Sequence, residues 1–191
     1  MNETAKKRNL SKEPSVLEPA RFHSLLVPID LTPSSDRVLG RRPLLLLADG
    51  AQVTILHVVP GGLPPRERRD AERDAGNALA SEARHLRKSL PRNVSIHPSV
   101  KLGGAATEIG ACATKVKADI IVMGRGGGRA LRDTFLGSTA ERVIRQAQLP
   151  VLVVRLPPRA TYGRPALGLD LDPAAHEVIR FMLLVLPRPR P

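Results

Sequence analysis

A chain of 191 residues with a net charge of +12, ordinary apolar content, no Trp, one Tyr and three Phe has room for one sizeable domain plus extensions. So few aromatics argue against RNA readout by stacking, and the basic residues are spread along the chain without a helix-turn-helix or RNP pattern, so specific nucleic-acid recognition is not expected. The single cysteine, Cys112, excludes an internal disulfide and a cysteine metal site, and no apolar run approaches the ~20 residues of a membrane helix or follows the basic N-terminus as in a signal peptide.

The first 20 residues are polar and charged, with Pro14 and Pro19, and read as a flexible lead-in. An apolar run at 22–29 predicts the first strand, with Asp30 just beyond it. Thr32 followed by Pro33 then predicts a helix start with Thr32 as N-cap, and Pro43 its end or kink. Gly50 marks a turn into a second strand at 53–59; His57, inside that apolar run, reads as a satisfied strand histidine. After the breaker-rich loop at 60–65, residues 66–90 carry Ala71, Ala75, Ala78, Leu79, Ala83 and Leu86 as a thin apolar stripe on a long helix. A third strand follows at 93–102, then a helix at about 105–116, where Cys112 shares helical spacing with Ile109 and Val116 and reads as core packing. Residues 119–123 predict a fourth strand, 139–145 a helix and 149–155 a last strand.

Apolar strands alternating with helices predict an α/β fold: a five-stranded parallel open sheet with helices on both faces. Ligands of such sheets bind at the carboxyl ends of the strands, where the strand order reverses. Between the fourth strand and the next helix lies a turn with Gly124, Gly127 and Gly137, followed by Ser138 and Thr139. Glycine lets backbone N–H groups approach an anion, and the helix start adds unpaired donors and a positive dipole end, so the turn suits phosphate. The alternative is that the glycines only allow positive φ, and that Ser138 and Thr139 only cap the helix. Asp30 has the same two readings, turn cap or ligand carboxylate. Arg125, Arg129 and Arg132 are candidates for charge-assisted phosphate contacts, or are solvated.

The pattern Gly-x2-Gly-x9-Gly-Ser is neither a Walker A loop nor a dinucleotide fingerprint. It resembles the nucleotide loop of the universal stress protein family, and the strands at 22–29, 53–59 and 149–155 are similar to that family's first, second and last. The resemblance implies an adenine nucleotide alpha hydrolase-like, Rossmann-like sheet of order 3-2-1-4-5 over residues 21–156. It implies ATP, accompanied by Mg²⁺, with the triphosphate at Gly124, Arg125, Gly127, Gly137, Ser138 and Thr139. Asp30 would lie by the ribose and adenine, Val58 would meet the base through its backbone, and Pro28 and Ile29 would line the base pocket; Met123 packs on base or ribose or, the reading preferred here, is buried in the strand end. Asp133 is the one carboxylate in the loop. The resemblance further implies a cytoplasmic stress regulator or sensor with little or no turnover, and a homodimer through the last strand. Rival readings are a nucleotide-free interaction module of the same fold and a weak ATPase.

The tail repeats the start. Residues 167–179 align without gaps with 27–39, setting Asp170 on Asp30, Pro173 on Pro33 and Val178 on Val38. Residues 157–191 thus resemble the opening strand and helix of a second unit, truncated, with a tail strand at 165–169 available to cover the edge of the sheet. One strand and one helix are too little to fold alone, so they pack on the first unit, pair between chains or form a loose tail.

Overall fold

The computed structural model describes residues 21–32, 38–39, 47–126, 136–155, 166–168, 178–179 and 181. Among them five strands form one parallel sheet: β1 (Phe22–Pro28), β2 (Leu47–Pro60), β3 (Ser95–Gly103), β4 (Ile120–Gly124) and β5 (Val151–Val154), in the order β3-β2-β1-β4-β5. Three helices connect them: α1 (Pro65–Arg87), α2 (Ala105–Lys115) and α3 (Ser138–Gln146). A helical pair, Val38 and Leu39, follows β1.

The central strands carry buried apolar runs, at 25–27 and 120–123 among others, because the sheet is covered on both faces. Successive side chains of a strand point to opposite sides, and the core divides accordingly. Leu25 and Val27 of β1, Val53 and Ile55 of β2, and Ile120 and Val122 of β4 pack with Val38, Leu79 and Leu86 on one face. Leu26, Leu56, Ile121 and Met123 pack with Ile109, Cys112, Ala140 and Val143 on the other. So α1 covers the first face, and α2 with α3 cover the second. Cys112 is core, as its spacing predicts, and burial pushes its thiol pKa up. Of the α1 stripe, Ala75, Leu79 and Leu86 are buried, while Ala71, Ala78 and Ala83 are half-buried.

Two expectations change. β2 starts at Leu47, not at 53, because Leu47 already pairs with Phe22. From there to the Ser24–Gln52 pair β1 advances two residues and β2 five, so β2 carries a bulge, and Gly50 supplies its φ of 73°. The tail strand is absent at 166–168, which are exposed and outside the sheet. The Thr32 hydroxyl donates to Asp30 at 2.7 Å, and its oxygen can still accept. The helix start at Pro33 lies outside the described residues, as do Pro43, Gly127, Arg129, Arg132, Asp133, Asp170 and Pro173.

Candidate functional site

The strand order places β1 beside both β2 and β4, so the chain leaves the sheet in opposite directions on either side of one crevice. At the carboxyl ends of these strands lies a cleft of about 280 Å³. Its floor and walls come from every layer of the fold. β1 and its exit give Pro28, Ile29 and Asp30; β2 gives Leu56, His57 and Val58; β4 and its exit give Met123, Gly124, Arg125 and Gly126. Ala105 and Ile109 of α2, Thr139 and Ala140 of α3, Val38, and Val154 with Arg155 at the end of β5 complete it.

The β1 exit is held by a network of short hydrogen bonds. The Ile29 N–H donates to Leu56 O at 2.8 Å, and His57 Nδ1 lies 2.9 Å from Ile29 O. A carbonyl only accepts, so Nδ1 carries the proton in this bond. Its histidine is therefore satisfied, as expected, yet it also forms part of the cleft wall. Asp30 Oδ1 accepts from both the N–H (3.1 Å) and the hydroxyl (2.7 Å) of Thr32. This Asx turn carries Leu31 at φ 57°, a left-handed conformation uncommon for a leucine. The Leu31 side chain packs on the core, and that burial offsets the strain.

The glycine turn is built more tightly than its sequence suggests. The Gly137 N–H donates to Arg125 O at 2.7 Å. A Cβ on Gly137 would stand 2.8 Å from Arg125 O and 3.0 Å from the Gly126 carbonyl carbon. A side chain at Gly137 would thus crowd the β4 exit. Gly124 has a similar reason: a Cβ there would meet Val38 Cγ2 at 3.3 Å. Among the described glycines of this turn, Gly126, at φ 68°, is the one with positive φ; it sits in the Gly126-Gly127-Gly128 run, and the family spacing passes over it. Gly137 itself is the N-cap of α3, and no side chain caps that helix. Ser138 and Thr139 are therefore not caps; Thr139 faces the cleft, while Ser138 is exposed beside it.

Of the residues singled out in the sequence, Pro28, Ile29, Asp30, Val58, Met123, Gly124, Arg125 and Thr139 line this one cleft. Gly137 and Ser138 adjoin it through the β4–α3 contact, and Gly127 lies outside the described residues. Val38, Leu56, Ala105, Ile109, Ala140, Val154 and Arg155 also line it, as core or strand-end residues that no spacing marks as a site. Among the described residues, no group of three or more His, Cys, Asp or Glu side chains is placed to hold a metal ion.

The family model for universal stress proteins matches residues 21–155. The chain belongs to the universal stress protein family. Universal stress protein G of Escherichia coli O157:H7 is 31% identical over 143 residues, which is 70% of this chain and 99% of that protein. Among solved structures, universal stress protein UspA from Lactobacillus plantarum has a TM-score of 0.58 at 23% identity, covering 71% of this chain and 99% of that one. A universal stress protein in complex with cAMP has a TM-score of 0.55 at 22% identity, covering 71% of this chain and 98% of that one. One from Archaeoglobus fulgidus in complex with dAMP has a TM-score of 0.51 at 21% identity, over 71% and 99%. These universal stress proteins share the fold of residues 21–155, a Rossmann-like parallel sheet. No described helix of this universal stress protein is long and apolar enough to cross a membrane.

Proposed function

We propose that this universal stress protein binds an adenine nucleotide, ATP foremost, in the cleft at the carboxyl edge of the sheet, and acts as a nucleotide-responsive stress regulator with little or no turnover. The observation that carries the reading is the convergence of Pro28, Ile29, Asp30, Val58, Met123, Arg125 and Thr139, distant in sequence, on one cleft. Two proteins of the same fold form complexes with cAMP and with dAMP, both adenine nucleotides.

The chemistry of the lining fits such a ligand. Ile29, Val58 and Met123 give the apolar contact a base needs, and Pro28 closes the same end. Asp30, exposed beside them, suits sugar hydroxyls, since a carboxylate has acceptor capacity beyond its bonds to Thr32. Arg125, the backbone of Gly124 and Gly126, and the start of α3 with Thr139 offer donors for phosphate. Mg²⁺ would be carried chiefly by the phosphates, because Asp30 is the only carboxylate among the described residues that line the cleft. For ATP hydrolysis, water needs a general base placed beside the terminal phosphate. His57 has its Nδ1 proton committed to Ile29 O, and Asp30 sits at the far, base end of the cleft. We place the protein in the cytoplasm and read it as a homodimer through β5.

Calorimetric titration with Mg·ATP at about physiological salt, with GTP as control, tests the reading. Saturable one-to-one binding of ATP, much weaker for GTP, is the expected result. Equal, salt-sensitive binding of both is what a +12 protein does with any polyanion; that result would favour the nucleotide-free interaction module.

A further inference from the structure

We propose that Arg155, beside Arg125, reads the length of the phosphate chain, so that the cleft holds a nucleoside triphosphate more tightly than the monophosphate. The proposal rests on the adenine-nucleotide reading of the cleft. Its basis is the order of charge along the sheet edge. β4 and β5 run parallel with Gly124 opposite Val154, so the next residues, Arg125 and Arg155, leave neighbouring strands side by side. Both line the cleft, and Val154, only 4% exposed, anchors the second of them.

The base-end residues Pro28, Ile29 and Val58 belong to β1, its exit and β2. In the order β2-β1-β4-β5 the ends of β2 and β5 are three strand spacings apart, about 14 Å. A monophosphate with its base between β2 and β1 brings its charge to the β4 exit and Arg125. Further phosphates run on toward β5, where Arg155 stands. Formal charge changes sign in the same direction, from Asp30 at β1 to Arg125 and Arg155 at β4 and β5. The carboxylate suits hydroxyl donors of a sugar; the planar guanidinium forks suit phosphate oxygens. Arg155 lies outside the glycine pattern, and only the β4–β5 register brings it to the site.

The test is calorimetric titration of the full chain with ATP, ADP and AMP at about 0.15 M salt. The wild type is expected to bind ATP more tightly than AMP. Arg155→Ala is expected to weaken ATP roughly tenfold and to leave AMP within about twofold, as loss of one charge-assisted contact to the distal phosphates requires. Arg155→Lys, which keeps the charge but loses the fork, should recover part of the ATP affinity. Arg84→Ala removes an equal charge from the exposed surface of α1; it should leave ATP binding unchanged. Equal losses for ATP and AMP, no loss for either, or an equal loss in Arg84→Ala each overturn the proposal. A wild type that binds ATP while Arg155→Ala binds it as well sinks this proposal alone. A wild type that binds no adenine nucleotide sinks the reading of the cleft and this proposal with it.

Discussion

Gly137 is fixed by what its backbone touches. Its missing Cβ lets the start of α3 close on the β4 exit, where Arg125 O accepts its N–H at 2.7 Å. A methyl group there would meet backbone, which cannot swing aside as a flexible side chain can. Gly137→Ala should therefore destabilise the fold by about 1–3 kcal/mol, the usual range for overpacking, and weaken ATP binding by displacing Arg125. Urea unfolding and the ATP titration check the two parts; unchanged stability in the variant would mean that the turn relaxes freely. The sequence showed that a glycine stood here but not what it was for. Spacing reports that a side chain is missing, and only the tertiary contact reports what fills the space.

At the scale of elements, Phe181 joins the core from the described residues of the tail. It lies edge-on to Phe22, with ring centroids 6.2 Å apart at 63°, and packs against the face covered by α1. Phe22 is only 2% exposed, at the start of β1 and far from the cleft at its other end. Phe181, two residues past the stretch that aligns with 27–39, thus adds to the core at the edge opposite the cleft. Phe181→Ala should cost about 1–2 kcal/mol, from lost apolar burial and the aromatic pair, and should leave ATP affinity as it was. Thermal unfolding measured beside the titration checks this. The Phe181–Phe22 contact was not legible in the sequence, because a short tail segment has several faces it can bury against.

For the whole molecule the open question is the edge at β5. Val151, Leu152 and Val153 are half-buried, and among the described residues β5 pairs only with β4. An apolar edge strand is a template for pairing with another strand. The tail at 166–168 does not pair as a strand there. Light scattering on the full chain should give the mass of a dimer, and a chain stopped at Leu156 should give a dimer as well. A monomer in both would rule out pairing through β5. A dimer of the full chain alone would assign the interface to the tail.

The sequence by itself determined the fold class, the two-faced sheet and the neighbourhood of the site. Apolar periodicity decides which faces are buried, and a glycine turn between strand and helix decides where an anion can approach. The strand order it supplied only by resemblance. Tertiary structure decided the rest: that the Thr32 hydroxyl goes to Asp30, that α3 is capped by Gly137 and not by Ser138 or Thr139, and that Arg155 stands beside Arg125. Each of these depends on a partner remote in the chain or on a competition between nearby donors and acceptors. Local pattern carries neither, since it records what a residue can do and not which of its options the packed core leaves open.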